Sequence, residues 1–123
     1  MFEMDHVAVP TADVAGGVKY YVENFGAEVL YADATWAFLR IGQGKLALVS
    51  PQQHPPHVAL RVDLATLEEA AVKAGKKIDV HRDGTRGIYV DDPAGNVLEL
   101  IYYPQGGTHY DQAHNRGTAP TST

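Results

Sequence analysis

His6-Val7-Ala8-Val9 comes back, fifty-one residues further on, as His57-Val58-Ala59-Leu60. Counting forty-two residues on from each histidine reaches Leu48, in Gly44-Lys45-Leu46-Ala47-Leu48-Val49, and Glu99, in Gly95-Asn96-Val97-Leu98-Glu99-Leu100. Two modules thus place a histidine at the same structural point, and only the second follows it with a carboxylate. His6, His57 and Glu99 form a two-histidine, one-carboxylate set, the combination that non-haem iron sites with open positions use. By this count Leu48 stands where a fourth ligand would, and it is apolar.

Around this repeat, each module reads as strand, helix and three strands. In the first, Met4–Val9 is a strand that Pro10 ends. Asp13–Asn24 carries Val14, Val18, Tyr21, Val22 and, just beyond, Phe25 at helical spacing, with Gly26 as the stop. Glu28–Ala32, Thr35–Ile41 and Lys45–Ser50 follow as strands. In the second, His57–Val62 is a strand, and Asp63 caps a helix bearing Leu64, Leu67, Ala71 and Ala74 that Gly75 stops. Lys77–His81, Gly87–Val90 and Val97–Tyr102 complete it, with a turn cluster at 91–96. The chain therefore reads as one domain over 1–103, made of module 4–50, a proline-rich linker 51–56 and module 57–103. Residues 104–123 are polar and without periodicity, and read as a partly disordered tail.

Strand side chains alternate between faces. His6 and Ala8 share one face, as do His57 and Ala59, and Glu99 shares another with Val97 and Ile101. The more aliphatic rows, Val7 with Val9, Val58 with Leu60 and Leu98 with Leu100, belong under the helices. That leaves the histidines and Glu99 on the uncovered side, where the alanine beside each histidine leaves room for a ligand. Taken singly, each histidine reads as a strand-start residue bonded to backbone, and Glu99 as a solvated rim group. A glutamate inside the apolar run Val97–Tyr102 needs a partner to be tolerated in a buried place, however, and the repeat makes coincidence a poor account of all three.

Composition excludes other classes. With 45% hydrophobic and 20% charged residues the chain can bury a core. A net charge of −5 with scattered cations offers nucleic acid no basic stripe. There is no cysteine, hence no disulfide and no thiolate ligand or nucleophile. No apolar run reaches the roughly 20 residues that span a bilayer, and Met1–His6 does not read as a targeting peptide, so the expectation is a soluble cytoplasmic protein.

His6–Val9, the Phe25-Gly26-Ala27-Glu28-Val29 that follows the first helix, and Asp92-Pro93-Ala94-Gly95-Asn96-Val97-Leu98-Glu99-Leu100-Ile101 together resemble the vicinal oxygen chelate superfamily, the glyoxalase/bleomycin-resistance/dioxygenase proteins. The resemblance covers about residues 4–103. It implies an α+β fold of two βαβββ modules, forming a cup-shaped, mixed eight-stranded sheet with helices on the outer face. It implies a divalent metal held by His6, His57 and Glu99. Glyoxalase I and the epimerases usually bring a fourth protein ligand, for which the count gives Leu48, so the resemblance points to the three-ligand branches.

Among these, His81, Ile88-Tyr89, Asp92-Pro93, Gly95 and Glu99 resemble the extradiol dioxygenase signature, with Asp79 as the misfit. That implies Fe(II), with Mn(II), Ni(II) or Zn(II) as alternatives, and a small-molecule substrate chelating through neighbouring oxygens. It gives Tyr89 and His81 catalytic contacts with the bound oxygens; otherwise Tyr89 is a cross-strand aromatic equivalent to Phe38. The additional histidine of two-domain extradiol enzymes has no counterpart except His54, in the linker. Thiol-transferase members carry a threonine where Ala8 stands and need cations that this chain lacks between Glu99 and Arg116. Arg82 and Arg86 read as solvated rather than as carboxylate clamps, Trp36 and Phe38 as packing, and His109 and His114 as adventitious metal binders. Relatives of this size are often homodimers, which is the expected assembly. The rivals to a dioxygenase are a metal-dependent lyase, isomerase or transferase, and a drug-binding protein without catalysis.

Overall fold

The computed structural model describes residues 2–81 and 83–104. Its elements run β1 (Glu3–Pro10), α1 (Val14–Phe25), β2 (Glu28–Ala32), β3 (Trp36–Ile41), β4 (Gly44–Val49), β5 (His57–Arg61), α2 (Leu64–Ala74), β6 (Asp79–Val80), β7 (Arg86–Asp91) and β8 (Val97–Tyr102). The α+β expectation of two βαβββ runs is met: the strands form one open, mixed, eight-stranded sheet in the order β2-β3-β4-β1-β5-β8-β7-β6. The chain divides into two compact units, one from His6 to His57 and one from Val58 onward that includes the residues before His6.

In the first unit, the Asp13 carboxylate accepts from the Gly16 N–H at 2.9 Å and starts α1. Gly26, at a φ of 67° that suits glycine, ends it. The helix lays Val14 and Val18 against Ala27, Ala37, Leu39 and Leu48, with Val9, Leu46 and Tyr21 at the margin. Gly17 permits the close approach, since a Cβ there would stand 2.9 Å from Leu48 Cδ1. Antiparallel pairing of β2 with β3 and of β3 with β4, and parallel pairing of β4 with β1, complete this unit. β3 starts one residue later than the sequence suggests, because Asp33 accepts from the N–H groups of Thr35 and Trp36 and makes a turn of 33–35.

The second unit repeats these devices. Asp63 accepts from Thr66 N–H at 2.7 Å, and Gly75 closes α2. Leu67 and Ala71 pack on Val62, Ile88 and Leu100; full burial of a leucine such as Leu67 contributes about 1.5–3 kcal/mol. The strand expected over 77–81 is reduced to Asp79–Val80, because the chain turns through 81–85 with His81 N–H bonded to Thr85 C=O at 2.8 Å. The Tyr103 hydroxyl donates to Asp5 at 2.7 Å, with both groups buried, and so ties the start of β1 to the chain beyond β8. No helix among the described residues is long and apolar enough to cross a membrane. The tail expected over 104–123 lies outside the described residues from 105 on.

Candidate metal centre

Alternation puts the polar groups where the sequence predicts. On β1, Val9 joins the core beneath α1 while His6 and Ala8 point the other way. The His6 ring meets Phe38 edge-on at 5.2 Å and His57 at 5.5 Å between centroids. His57 opens β5, and its Nδ1 lies 2.8 Å from the Pro55 carbonyl. A carbonyl only accepts, so Nδ1 carries the proton and Nε2 of the neutral ring keeps its lone pair, the arrangement by which a second group orients a metal-binding histidine. The proline-rich linker thus supplies the orienting carbonyl. β5 and β8 run parallel with Ala59 opposite Glu99, so Glu99 shares the face of Ala59 and of His57.

One ligand atom from each of His6, His57 and Glu99 lies within 4.8 Å of the others, and the three residues are 8%, 7% and 5% exposed. Two imidazoles and a carboxylate, buried and converging, are the chemistry of a divalent-metal site, and the residues fit one.

The position facing Glu99 in the repeat needs correction. Leu48 does not stand there: it points to the opposite face and packs under α1 with Val14, Leu39 and Gly17. The ladders make the correspondence explicit, since Ala59 pairs with Glu99 while Ala8, its counterpart in the first module, pairs with Ala47. Constant counting fails because the β3–β4 turn spans 42–43 while the β7–β8 turn spans 92–96. Ala47 is therefore the structural equivalent of Glu99, and the first module still lacks a fourth ligand.

Around Glu99 the structure gathers the two other predicted residues. Tyr89 pairs with Glu99 directly across β7 and β8. Its phenol pKa is pushed far above the ordinary value, first by burial and then by the charges of Glu99 and Asp79, so Tyr89 keeps its proton at neutral pH and can donate a hydrogen bond. His81 Nε2 stands 3.8 Å from Glu99 Oε2. Gly87 makes that approach feasible, because a Cβ there would lie 3.3 Å from both Glu99 Oε2 and His81 Cε1 and 2.8 Å from Leu100 O. On the other side of the ring, His81 Nδ1 meets Thr85 Oγ1 at 2.8 Å, and Thr85 Oγ1 donates to Asp83 at 2.7 Å. Thr85 and Asp83 escaped the sequence reading. The tight His-Arg-Asp-Gly-Thr turn between two strands was their signal, since Asp and Thr there bond to their own turn.

Of the remaining residues, His54 and Arg86 are exposed, and Trp36 and Phe38 stack in a row with Tyr31 at 4.9 and 6.0 Å between neighbouring rings. Ala8 and Ala59, beside the histidines, are buried, at 1% and 0% exposed. Arg82, His109, His114 and Arg116 lie outside the described residues.

No family model matches the chain, and no curated protein matches it. Solved structures do. A hypothetical protein from Bacillus halodurans superposes with a TM-score of 0.67 at 18% identity, over 84% of this chain and 95% of that one. Methylmalonyl-CoA epimerase from Mycobacterium tuberculosis gives 0.67 at 16%, over 83% and 89%. The Mn(II)-bound glyoxalase from Novosphingobium aromaticivorans gives 0.61 at 20%, over 81% of this chain and 37% of that one. The epimerase and the glyoxalase are vicinal oxygen chelate proteins, and their fold is the one this chain adopts.

Proposed function

We propose that this protein is a metal-dependent enzyme acting on a small molecule that chelates the metal through neighbouring oxygens. The observation that carries this reading is the buried convergence of His6, His57 and Glu99. These three would hold a divalent cation, which supplies Lewis-acid polarisation and open positions for substrate. The chain's own groups do the rest. Tyr89 keeps its proton and donates a hydrogen bond to an oxygen beside Glu99. His81, placed at Glu99 by the clearance over Gly87, handles protons there.

The specific form we favour is Fe(II)-dependent extradiol-type dioxygenation of a catechol, because the His81–Glu99 stretch resembles that signature, Asp79 excepted, and His81 and Tyr89 flank Glu99. A second reading, proton transfer at carbon as in an epimerase, isomerase or lyase with Mn(II), Ni(II) or Zn(II), is supported by the fold likeness to methylmalonyl-CoA epimerase and glyoxalase. Anaerobically reconstituted Fe(II) protein given a catechol panel should consume oxygen. Absence of uptake, together with solvent deuterium entering a carbon acid under a redox-inactive metal, selects the second reading. We place the enzyme in the cytoplasm as a homodimer; sedimentation of purified protein at twice the chain mass of 13.3 kDa is the expected result.

A further inference from the structure

The turn that joins β6 to β7 does more than reverse the chain. Thr85 is fully buried, and its single hydroxyl proton is committed to the Asp83 carboxylate, 2.7 Å away. Asp83 also accepts from the Thr85 N–H at 2.9 Å, which holds the threonine side chain in place. Thr85 Oγ1 therefore has only lone pairs to offer His81 Nδ1 at 2.8 Å, so Nδ1 must be the donor. In a neutral imidazole this leaves Nε2 without hydrogen. That nitrogen is directed toward Glu99, 3.8 Å from its Oε2 and beyond direct hydrogen-bond reach.

We propose that Thr85 and Asp83 are positioning residues that lock His81 in its Nδ1–H tautomer, so that Nε2 serves as a hydrogen-bond acceptor for the ligand at the metal centre. This deepens the functional reading above and rests on it for the identity of the ligand. The ligand class follows from the complement. A bare imidazole nitrogen accepts from a group that carries a proton, such as a hydroxyl, and the neighbouring Tyr89 phenol, itself a hydrogen-bond donor, suits an oxygen without one. The site thus takes a molecule with a hydroxyl beside a carbonyl or oxyanion, rather than two carbonyls.

The test is nitrogen-15 NMR of histidine-labelled full-length protein at about pH 8, above the usual histidine pKa of ~6.5. Metal-free wild type should show His81 protonated on Nδ1 with a bare Nε2. Thr85→Val, which keeps the buried shape, should lose that preference, and Thr85→Ser should restore it. A wild-type ring protonated on Nε2, or an Nδ1–H tautomer that persists in Thr85→Val, overturns the proposal. Addition of Zn(II) then separates this proposal from the reading on which it rests. Shifts of the His6 and His57 nitrogens with His81 unchanged support both, and no shift in any of the three removes the metal centre while leaving the tautomer result intact. Coordination appearing on His81 Nε2 overturns the acceptor role.

Discussion

Glu99 is the residue whose replacement separates a metal centre from a buried polar cluster. Metal at about 100 times its dissociation constant should stabilise the wild-type protein by about 2.7 kcal/mol, a rise in melting temperature on the order of 10 °C. Glu99→Ala should show no such rise in thermal unfolding of metal-stripped protein titrated with Fe(II), Mn(II), Ni(II) or Zn(II); an equal rise in both proteins would count against the triad. Tyr89 permits a test by pH. Its folded phenol holds its proton to a higher pH than the unfolded chain, whose ordinary value is 10.0. The stability this contributes is whole below that value and shrinks as pH rises above it. Tyr89→Phe should therefore flatten the alkaline loss of stability seen in denaturant melts between about pH 9 and 11. A steeper loss in the variant would mean that the phenol is not kept neutral by its surroundings. At this scale the candidate ligands were legible because strand alternation alone assigns His6, His57 and Glu99 to the face away from the aliphatic rows. Thr85 and Asp83 were not, because which hydroxyl meets which ring nitrogen depends on the three-dimensional path of a five-residue turn.

Elements decide what counting cannot. The helices were readable from Asp13 and Asp63 at their starts and Gly26 and Gly75 at their ends, since capping is a local matter settled within a few residues. The equivalence of the modules was not, because a hairpin turn of different length shifts the register on its far strand. The contrast between neighbours on β4 tests the corrected register. Leu48→Glu would bury a carboxylate under α1 among Val14, Ala37 and Leu39 and should leave the protein largely unfolded by circular dichroism. Ala47→Glu points to the face of Ala8 and should be tolerated better, particularly with metal present. Leu48→Ala, a cavity change alone, should cost about 2–5 kcal/mol. If the two glutamate variants behaved in the reverse order, Leu48 and not Ala47 would be the counterpart of Glu99.

For the whole molecule, local patterning was enough to read two βαβββ runs as an α+β protein, to place Val9, Leu60 and Leu100 in the cores beneath the helices, and to put two histidines and one glutamate on the other face, although Val7, read with Val9, is exposed. These follow from hydrophobic periodicity, capping residues and alternation, all of which are encoded over a few neighbouring positions. A metal stoichiometry of one per chain, read by elemental analysis of protein cut after residue 104 to remove His109 and His114, is the expected outcome at this scale; two per chain would point to a site that the triad does not explain. It took the folded chain to show that Ala47 pairs with Ala8, that Gly87 leaves room for His81 beside Glu99, and that Thr85 bonds the His81 ring at Nδ1. Each of these is a relation between residues brought together by strand register and turn geometry, and a linear spacing does not specify register when the turns it crosses differ in length.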